Sequence, residues 1–275
     1  MGVEPDWIIY FEQVLSANGI GVKSVPHNKL HLLQIAESNL VVNCLSVSNT
    51  HTIEYVLEAQ HNFQLKGIQL VNLWEDVWCN RPTQVLNRIQ SLAGRNHRIH
   101  GRKTTVITLN KEQADHFLSA FHIQGPAMAR FKLGLIHENE LVAVATFSGT
   151  RLMRQHTEGY RSAELIRFAT KAGYTVTGGL TKLIKHFTTL VNTNDIMTYA
   201  DRDWSTGKGY ESVGFTFHSL IPLASIWLDT FTNKRHFQHR LPQALLNGQM
   251  EEAILENKRF VRTFHTGSLK YILYL

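Results

Sequence analysis

The sequence predicts an α/β protein of the α+β kind divided into two domains, and three observations carry that expectation. Apolar runs with strand character alternate with stretches whose apolar residues recur at three- and four-residue steps, the spacing of a helix face. From residue 104 onward the pattern reads strand, helix, hairpin, strand, glycine turn, helix, strand, short helix, strand. At 275 residues and 43% hydrophobic side chains, the chain is long and apolar enough for two cores.

Residues 6–19 form the first expected helix, with Trp7, Ile8, Phe11, Val14 and Leu15 inward and Gly19 as its stop. Residues 30–35 and 40–47 are apolar strand candidates, and 53–66 are helical. Gly-Ile-Gln-Leu-Val-Asn-Leu at 67–73 is a buried strand, closed by Trp74-Glu-Asp-Val-Trp78. Pro82 opens a helix with Val85, Leu86, Ile89 and Leu92 on its apolar side, since proline loses no hydrogen bond at a first helical position. The first domain is placed at 1–95. The basic, glycine-flanked segment 96–103 is read as a linker, either solvated or in contact with phosphate, and the second domain as 104–275.

In the second half, 104–109 is β-branched and strand-like. Asn110 caps a helix with Gln113 as its capping-box partner, and Ala114, Phe117, Leu118 and Phe121 face inward. After the loop His122-Ile-Gln-Gly125, residues 132–136 and 141–147 form a hairpin around His137-Glu-Asn-Glu140. A strand from Glu164 leads to Gly178-Gly179, directly before a helix with Leu180, Leu183, Ile184, Phe187, Leu190 and Val191 on one face. The glycines either make a tight turn or let the backbone approach an anion at the helix start, where Thr181 adds a hydroxyl and Lys182 a charge. The spacing is not that of a Walker loop. The strand at 196–200 stops at Asp201, and a carboxylate at a strand end beside a glycine loop is where α/β folds place chemistry. The alternative is a strand, a turn and a surface helix. A short helix at Tyr210 and a strand at Phe215 follow.

This order resembles the GNAT acyltransferase fold, as does the helix ending Tyr-x-x-x-Gly-Phe at Tyr210 to Phe215. Over about 114–217 the sequence is similar to the Mom DNA-modification branch. The likeness lies in a loop histidine (His122), the hairpin strand Leu-Val-Ala-Val-Ala-Thr-Phe-Ser-Gly, the Glu-Leu-x-Arg strand from Glu164 to Arg167, and the Tyr-Ala-Asp strand end at Asp201. The resemblance implies a transferase and allows acetyl-CoA or a related acyl donor. The Gln/Arg-x-x-Gly-x-Gly/Ala coenzyme loop of ordinary acetyltransferases is missing, which leaves the donor unknown.

Gly-Ile-Gln-Leu-Val-Asn-Leu-Trp-Glu-Asp-Val-Trp, with Val-Leu-Asn-Arg-Ile after it, resembles the end of the Vsr-like nuclease domain of Hef-type phage homing endonucleases. Those proteins also carry a GNAT-like second half and a tail similar to Phe264-His-Thr-Gly-Ser-Leu-Lys-Tyr271. The implied fold is a Vsr/restriction-endonuclease-like domain followed by a GNAT-like mixed-sheet domain. The nuclease chemistry does not carry over. The family's strand aspartate falls on His31, its second carboxylate on Asn43 and its helix histidine near Val56, which leaves Glu12, Glu75 and Asp76 too spread for a metal site. A degenerate nuclease fold is the expectation, with Glu75 and Asp76 structural.

Charge adds a partner. Lys and Arg outnumber Asp and Glu by 28 to 22, a net +6. The excess clusters at Arg95, Arg98, Arg102 and Lys103, at Arg151 and Arg154, and at Lys234, Arg235 and Arg240. Such clusters suit nucleic acid, DNA before RNA, or are solvated faces. Two cysteines exclude a disulfide framework and fit a reducing cytoplasm, no metal-ligand spacing occurs, and no apolar run is long enough for a membrane. The site expected of a nucleic-acid-directed transferase has Asp201 as general base, His122 as alternative acid/base and Arg167 as holder of an anionic or carbonyl donor group. Ser205 and Tyr210 serve as hydrogen-bond donors, and Gly178, Gly179, Thr181 and Lys182 line a donor-phosphate site. A DNA-binding homing-endonuclease relative and a small-molecule N-acyltransferase are the alternatives.

Overall fold

The computed structural model describes residues 6–27, 29–154, 157–221, 226–237 and 260–275, which fall into two compact units. The first combines Met1–Pro82, Asp201–Ser205 and Ile221–Ser268, and the second Thr83–Ala200, Thr206–Leu220 and Leu269–Leu275. The division is therefore not the contiguous 1–95 and 104–275 read from sequence: segments late in the chain complete the first unit.

In the first unit, α1 (Asp6–Ala17) precedes β1 (Val22–Val25), β2 (His31–Ile35) and β3 (Leu40–Leu45), and α2 (Ile53–Leu65) leads to β4 (Gln69–Trp74) and α3 (Glu75–Asn80). The sheet is mixed. β1, β2 and β3 pair antiparallel, and β4 lies parallel to β3, as a helical crossover requires. α1 buries Trp7, Ile8, Phe11 and Leu15, and Phe11 meets Trp78 edge-on at 4.8 Å. α2 covers the face bearing Leu32, Val41 and Leu70.

The second unit begins with α4 (Pro82–Leu92) and β5 (His97–His100), a 3-10 turn at Gly101–Lys103, β6 (Thr105–Thr108) and α5 (Lys111–Phe121). The Asn110 and Gln113 capping box forms as expected, with bonds of 2.8 and 3.0 Å. Then come β7 (Phe131–His137), β8 (Glu140–Phe147), β9 (Arg151–Leu152), β10 (Arg161–Thr170), β11 (Tyr174–Thr177), α6 (Gly179–Leu190), β12 (Asp195–Asp201), α7 (Lys208–Glu211) and β13 (Thr216–Ile221). In the first unit again, β14 (Ile226–Asp229), β15 (Lys234–Phe237) and β16 (Phe260–Thr263) make a small antiparallel sheet, before β17 (Ser268–Tyr274) returns to the second. The eight-stranded sheet runs β13-β17-β12-β10-β8-β7-β6, with β9 beside β10. The expected order of hairpin, strand, helix, strand, helix, strand is present, and the final strand slots between β12 and β13. α6 packs on one face around Leu135, Phe147, Leu183 and Phe187, while α5 covers the other around Leu109, Phe117 and Val144.

The segment read as a linker is structured. β5 pairs parallel with β11, from His97 opposite Tyr174 to His100 opposite Thr177, and Ile99 is buried against the α6 core. Its partner lies 77 residues downstream, so no local signal announces the pairing.

Candidate functional site

Arg167 reaches its position through a β-bulge. Along the β10–β8 pair, Leu165 stands opposite Phe147 and Arg167 opposite Thr146, with Ile166 extra between them. One added residue reverses which side chains face which way. Leu165 and Phe168 point to the α6 core, and Ala169 to the α5 side. Arg167 alternates with Phe168 onto that α5 side. Its Nε donates to the Gly125 carbonyl at 3.2 Å and its Nη1 to the Ile166 carbonyl at 3.0 Å. Gly125 closes the turn after α5, where His122 is the helix cap. The His122 carbonyl accepts from Gly125 N–H at 2.9 Å, and its Nδ1 from Gln124 N–H at 3.1 Å. Arg167 and the His122 turn are thus brought together.

On the opposite edge of β10, the parallel ladder with β12 covers only Ser162 to Glu164 against Asp195 to Met197. Where it stops, the Thr198 hydroxyl donates to the Leu165 carbonyl at 3.0 Å. β10 then runs on to Thr170 beside β8.

The glycine pair has a structural explanation. Gly178 sits at φ +74°, a left-handed turn, and a Cβ on Gly179 would fall 2.8 Å from Val176 Cγ1. A Cβ on Gly101 would meet the Gly178 carbonyl carbon at 3.0 Å, so the 3-10 turn backs directly onto this point. Lys182 donates its ammonium to the carbonyls of Gly101 and Thr104. Its charge, expected on a donor phosphate, is used within the fold. Thr181 lies half-buried in the first turn of α6. Tyr210 packs its ring against Phe215 and Tyr271 at 5.6 and 5.9 Å. Gly207 lies at φ +82° with Tyr271 Oη only 1.9 Å from where a Cβ would stand. Tyr271 donates to Glu211 Oε1 at 3.0 Å; burial first, then this carboxylate, pushes its phenol up to about 12.

Asp201 and Ser205 belong to the first unit, in a turn that carries the residues sequence reading missed. The Asp201 carbonyl accepts from Trp204 and Ser205 N–H at 3.1 and 2.8 Å, and Asp201 Oδ1 from Asp203 N–H at 3.0 Å. Asp203 is 3% exposed. Its Oδ1 accepts from Thr266 Oγ1 at 2.7 Å, Thr266 N–H at 3.3 Å and Asn72 Nδ2 at 3.4 Å. Asn72 in turn accepts from Asn43 Nδ2 at 2.9 Å across the β3–β4 pair. Asn43, the expected place of a lost nuclease carboxylate, is therefore one link in a buried chain that ends on Asp203. His31, by contrast, is exposed. Burial, and next the Asp201 charge, lift the Asp203 carboxyl to about 7. The Arg202 N–H donates to the Gly267 carbonyl at 3.1 Å, which ties the turn to the Phe264-His-Thr-Gly segment. At His265, just before those anchors, burial lowers the pKa while the Asp201 charge opposes the shift. The signal available in sequence was the charged run Asp201-Arg-Asp203 directly after an apolar strand.

Of the basic clusters, Arg95, Arg98, Arg102, Lys103, Arg151, Arg154 and Lys234 are exposed, and Arg240 lies outside the described residues. Arg235 is not a surface cation. Its Nε and Nη2 donate to the buried Asp76 carboxylate at 2.6 and 2.8 Å, and its guanidinium lies over Trp74. Glu75 accepts from Val47 N–H at 2.9 Å. Among the described residues, no three His, Cys, Asp or Glu side chains are arranged to hold a metal ion, and no helix is long and apolar enough to cross a membrane.

No protein-family model and no curated protein sequence matches the chain. Among solved structures, it is similar to a GNAT family acetyltransferase from Elizabethkingia anophelis with acetyl-CoA bound, at 12% identity and a TM-score of 0.34. It is also similar to a Bacillus subtilis acetyltransferase in complex with CoA, at 14% and 0.37. A third is Arabidopsis thaliana Naa50 in complex with a bisubstrate analogue, at 8% and 0.38. Each likeness covers 63% of this chain and 99% of the other.

Proposed function

We propose that the second unit is an acyltransferase domain that lays an acyl thioester donor along the open edge of β10 and passes the acyl group to an amine. The divergence of β10 from β12 after Glu164 carries this reading. A strand edge offers N–H and C=O groups that an extended, amide-containing arm can pair with. The first-turn N–H groups of α6, beside Gly178, Gly179 and Thr181, suit the donor's phosphates. In the transfer the amine nitrogen attacks the thioester carbonyl, the C–S bond breaks, the amine proton passes to His122, the base candidate that lies in the second unit, and the leaving thiolate takes up a proton. Within the same unit Arg167 holds a carbonyl or anionic group and Tyr210 donates to developing charge. The test mixes the protein with acetyl-CoA and a panel of amines: a peptide N-terminus, a polyamine and an oligonucleotide. Amine-dependent thiol release, at least about 100-fold slower in His122→Gln, is expected for a general base.

A nucleic-acid acceptor is the second reading, and one observation favours it. Residues 83–111 contain six Lys and Arg and no carboxylate, and Arg95, Arg98, Arg102 and Lys103 are exposed. DNA affinity should then fall steeply with salt, and Arg98→Gln or Arg102→Gln should each lower the salt slope by about one. Arg235→Gln should instead cost about 3 kcal/mol of stability, because it strands a buried carboxylate. Unchanged slopes in both surface variants would remove DNA as the acceptor. The first unit serves in either reading as a scaffold, a nuclease-like fold without nuclease chemistry. Plasmid with Mg²⁺ should stay unnicked.

A further inference from the structure

One row of side chains crosses three strands on the α5 side of the large sheet. Lys132 on β7 stands opposite Thr146 on β8, and Thr146 opposite Arg167 on β10. Directly opposite residues share a face. The face is fixed by the neighbouring row, Gly134, Val144 and Ala169: Val144 and Ala169 pack in the α5 cluster, and a Cβ on Gly134 would press on Leu109 of that cluster. α5 covers this apolar row and ends at Phe121, and the chain that follows meets the polar one. Gly125 offers its carbonyl to Arg167, and Ala129 offers its carbonyl to Lys132 Nζ at 2.7 Å.

Between the two cations, the Thr146 hydroxyl is buried, the residue being 1% exposed, and has no hydrogen-bond partner among the described residues. Burying a hydroxyl unpaired is unfavourable, and valine would fill the same volume without that cost. Two cations in one row, on the strands either side of β8, with an unpaired hydroxyl between them make a site of consistent chemistry. We propose that Lys132, Thr146 and Arg167 bind an anionic oxygen group, a carboxylate or a phosphate, of a ligand. The hydroxyl donates to one ligand oxygen. The two cations pair with the others, where the Gly125 and Ala129 carbonyls now serve as acceptors. The assignment is read by binding alone and stands apart from whether acyl transfer occurs.

The test is a titration of the full chain with inorganic phosphate and, separately, with acetate. It is followed by thermal melting and by amide NMR, against sodium chloride at matched ionic strength. The wild-type protein should be stabilised by at least one of the two anions beyond the chloride control. The NMR shifts should centre on β7, β8, β10 and the turn at Gly125. Thr146→Val should melt at the same temperature or higher without anion, yet bind the anion about tenfold more weakly or worse. Lys132→Gln and Arg167→Gln should weaken it similarly, and Arg98→Gln should leave it unchanged. Binding in Thr146→Val equal to wild type overturns the assignment. So does wild-type indifference to both anions, or anion stabilisation that is lost in Arg98→Gln and kept in Thr146→Val. Whether phosphate or acetate binds more tightly identifies the group.

Discussion

Asp203 gives the first unit a pH dependence whose sign follows from its surroundings. Burial and the neighbouring Asp201 raise its carboxyl from an ordinary 3.8 to about 7, despite the hydrogen bonds from Thr266 and the Arg235 charge. Because the folded value lies above the unfolded one, the protonated group stabilises the fold fully below about pH 4. That contribution is lost as pH rises towards 7, at roughly 1.4 kcal/mol for each step of one in pH. Denaturant unfolding at a series of pH values should show the decline in the wild-type protein and a flatter profile in Asp203→Asn. An unchanged slope in the variant would mean that Asp203 holds its proton no more tightly in the folded chain than in the unfolded one. Sequence reading placed Asp201 at the strand end correctly but passed over Asp203. Its partner Thr266 lies 63 residues away, and nothing local distinguishes a buried aspartate from a solvated one. The same separation in sequence hid the use of Arg235 by Asp76, 159 residues apart.

At the level of elements, local signals served where structure is local. The Asn110 capping box, the hairpin around 137–140 and the turn at Gly178 were legible because caps, alternation and positive-φ glycines act within a few residues. The parallel β5–β11 pair and the entry of β17 between β12 and β13 were not, because strand pairing at long range leaves no periodic mark. The junction of α7 and β17 is the sharpest test of that arrangement. At Gly207 a side chain would meet both a left-handed φ and the Tyr271 hydroxyl. Gly207→Ala should therefore destabilise by about 2 kcal/mol or more. In Gly207→Ala with Tyr271→Phe the loss should be smaller than the sum of the single changes, since removing the hydroxyl relieves part of the clash. Strict additivity in a double-mutant cycle would place Tyr271 elsewhere.

Over the whole molecule, the candidate site was legible in part. A sequence resemblance points to Arg167 and His122, and both meet Gly125, whose carbonyl accepts from Arg167 and whose N–H donates to the His122 carbonyl. The bulge at Ile166 that aims Arg167, and the Thr146 hydroxyl beside it, could only be seen once the register was known. Lys182 and Arg235 illustrate the reverse error, since a cation in sequence carries no sign of whether carbonyls or a buried carboxylate already hold it. The proposed function stands or falls on whether the large mixed sheet, opened where β10 leaves β12, takes an acyl thioester. Calorimetric titration of the full chain with acetyl-CoA measures that uptake itself, with the Thr198→Val variant alongside because Thr198 holds the point of divergence. Saturable binding at one site per chain, weakened in the variant, is the expected outcome. Absence of any binding heat or protection from unfolding by acetyl-CoA or free CoA would contradict it.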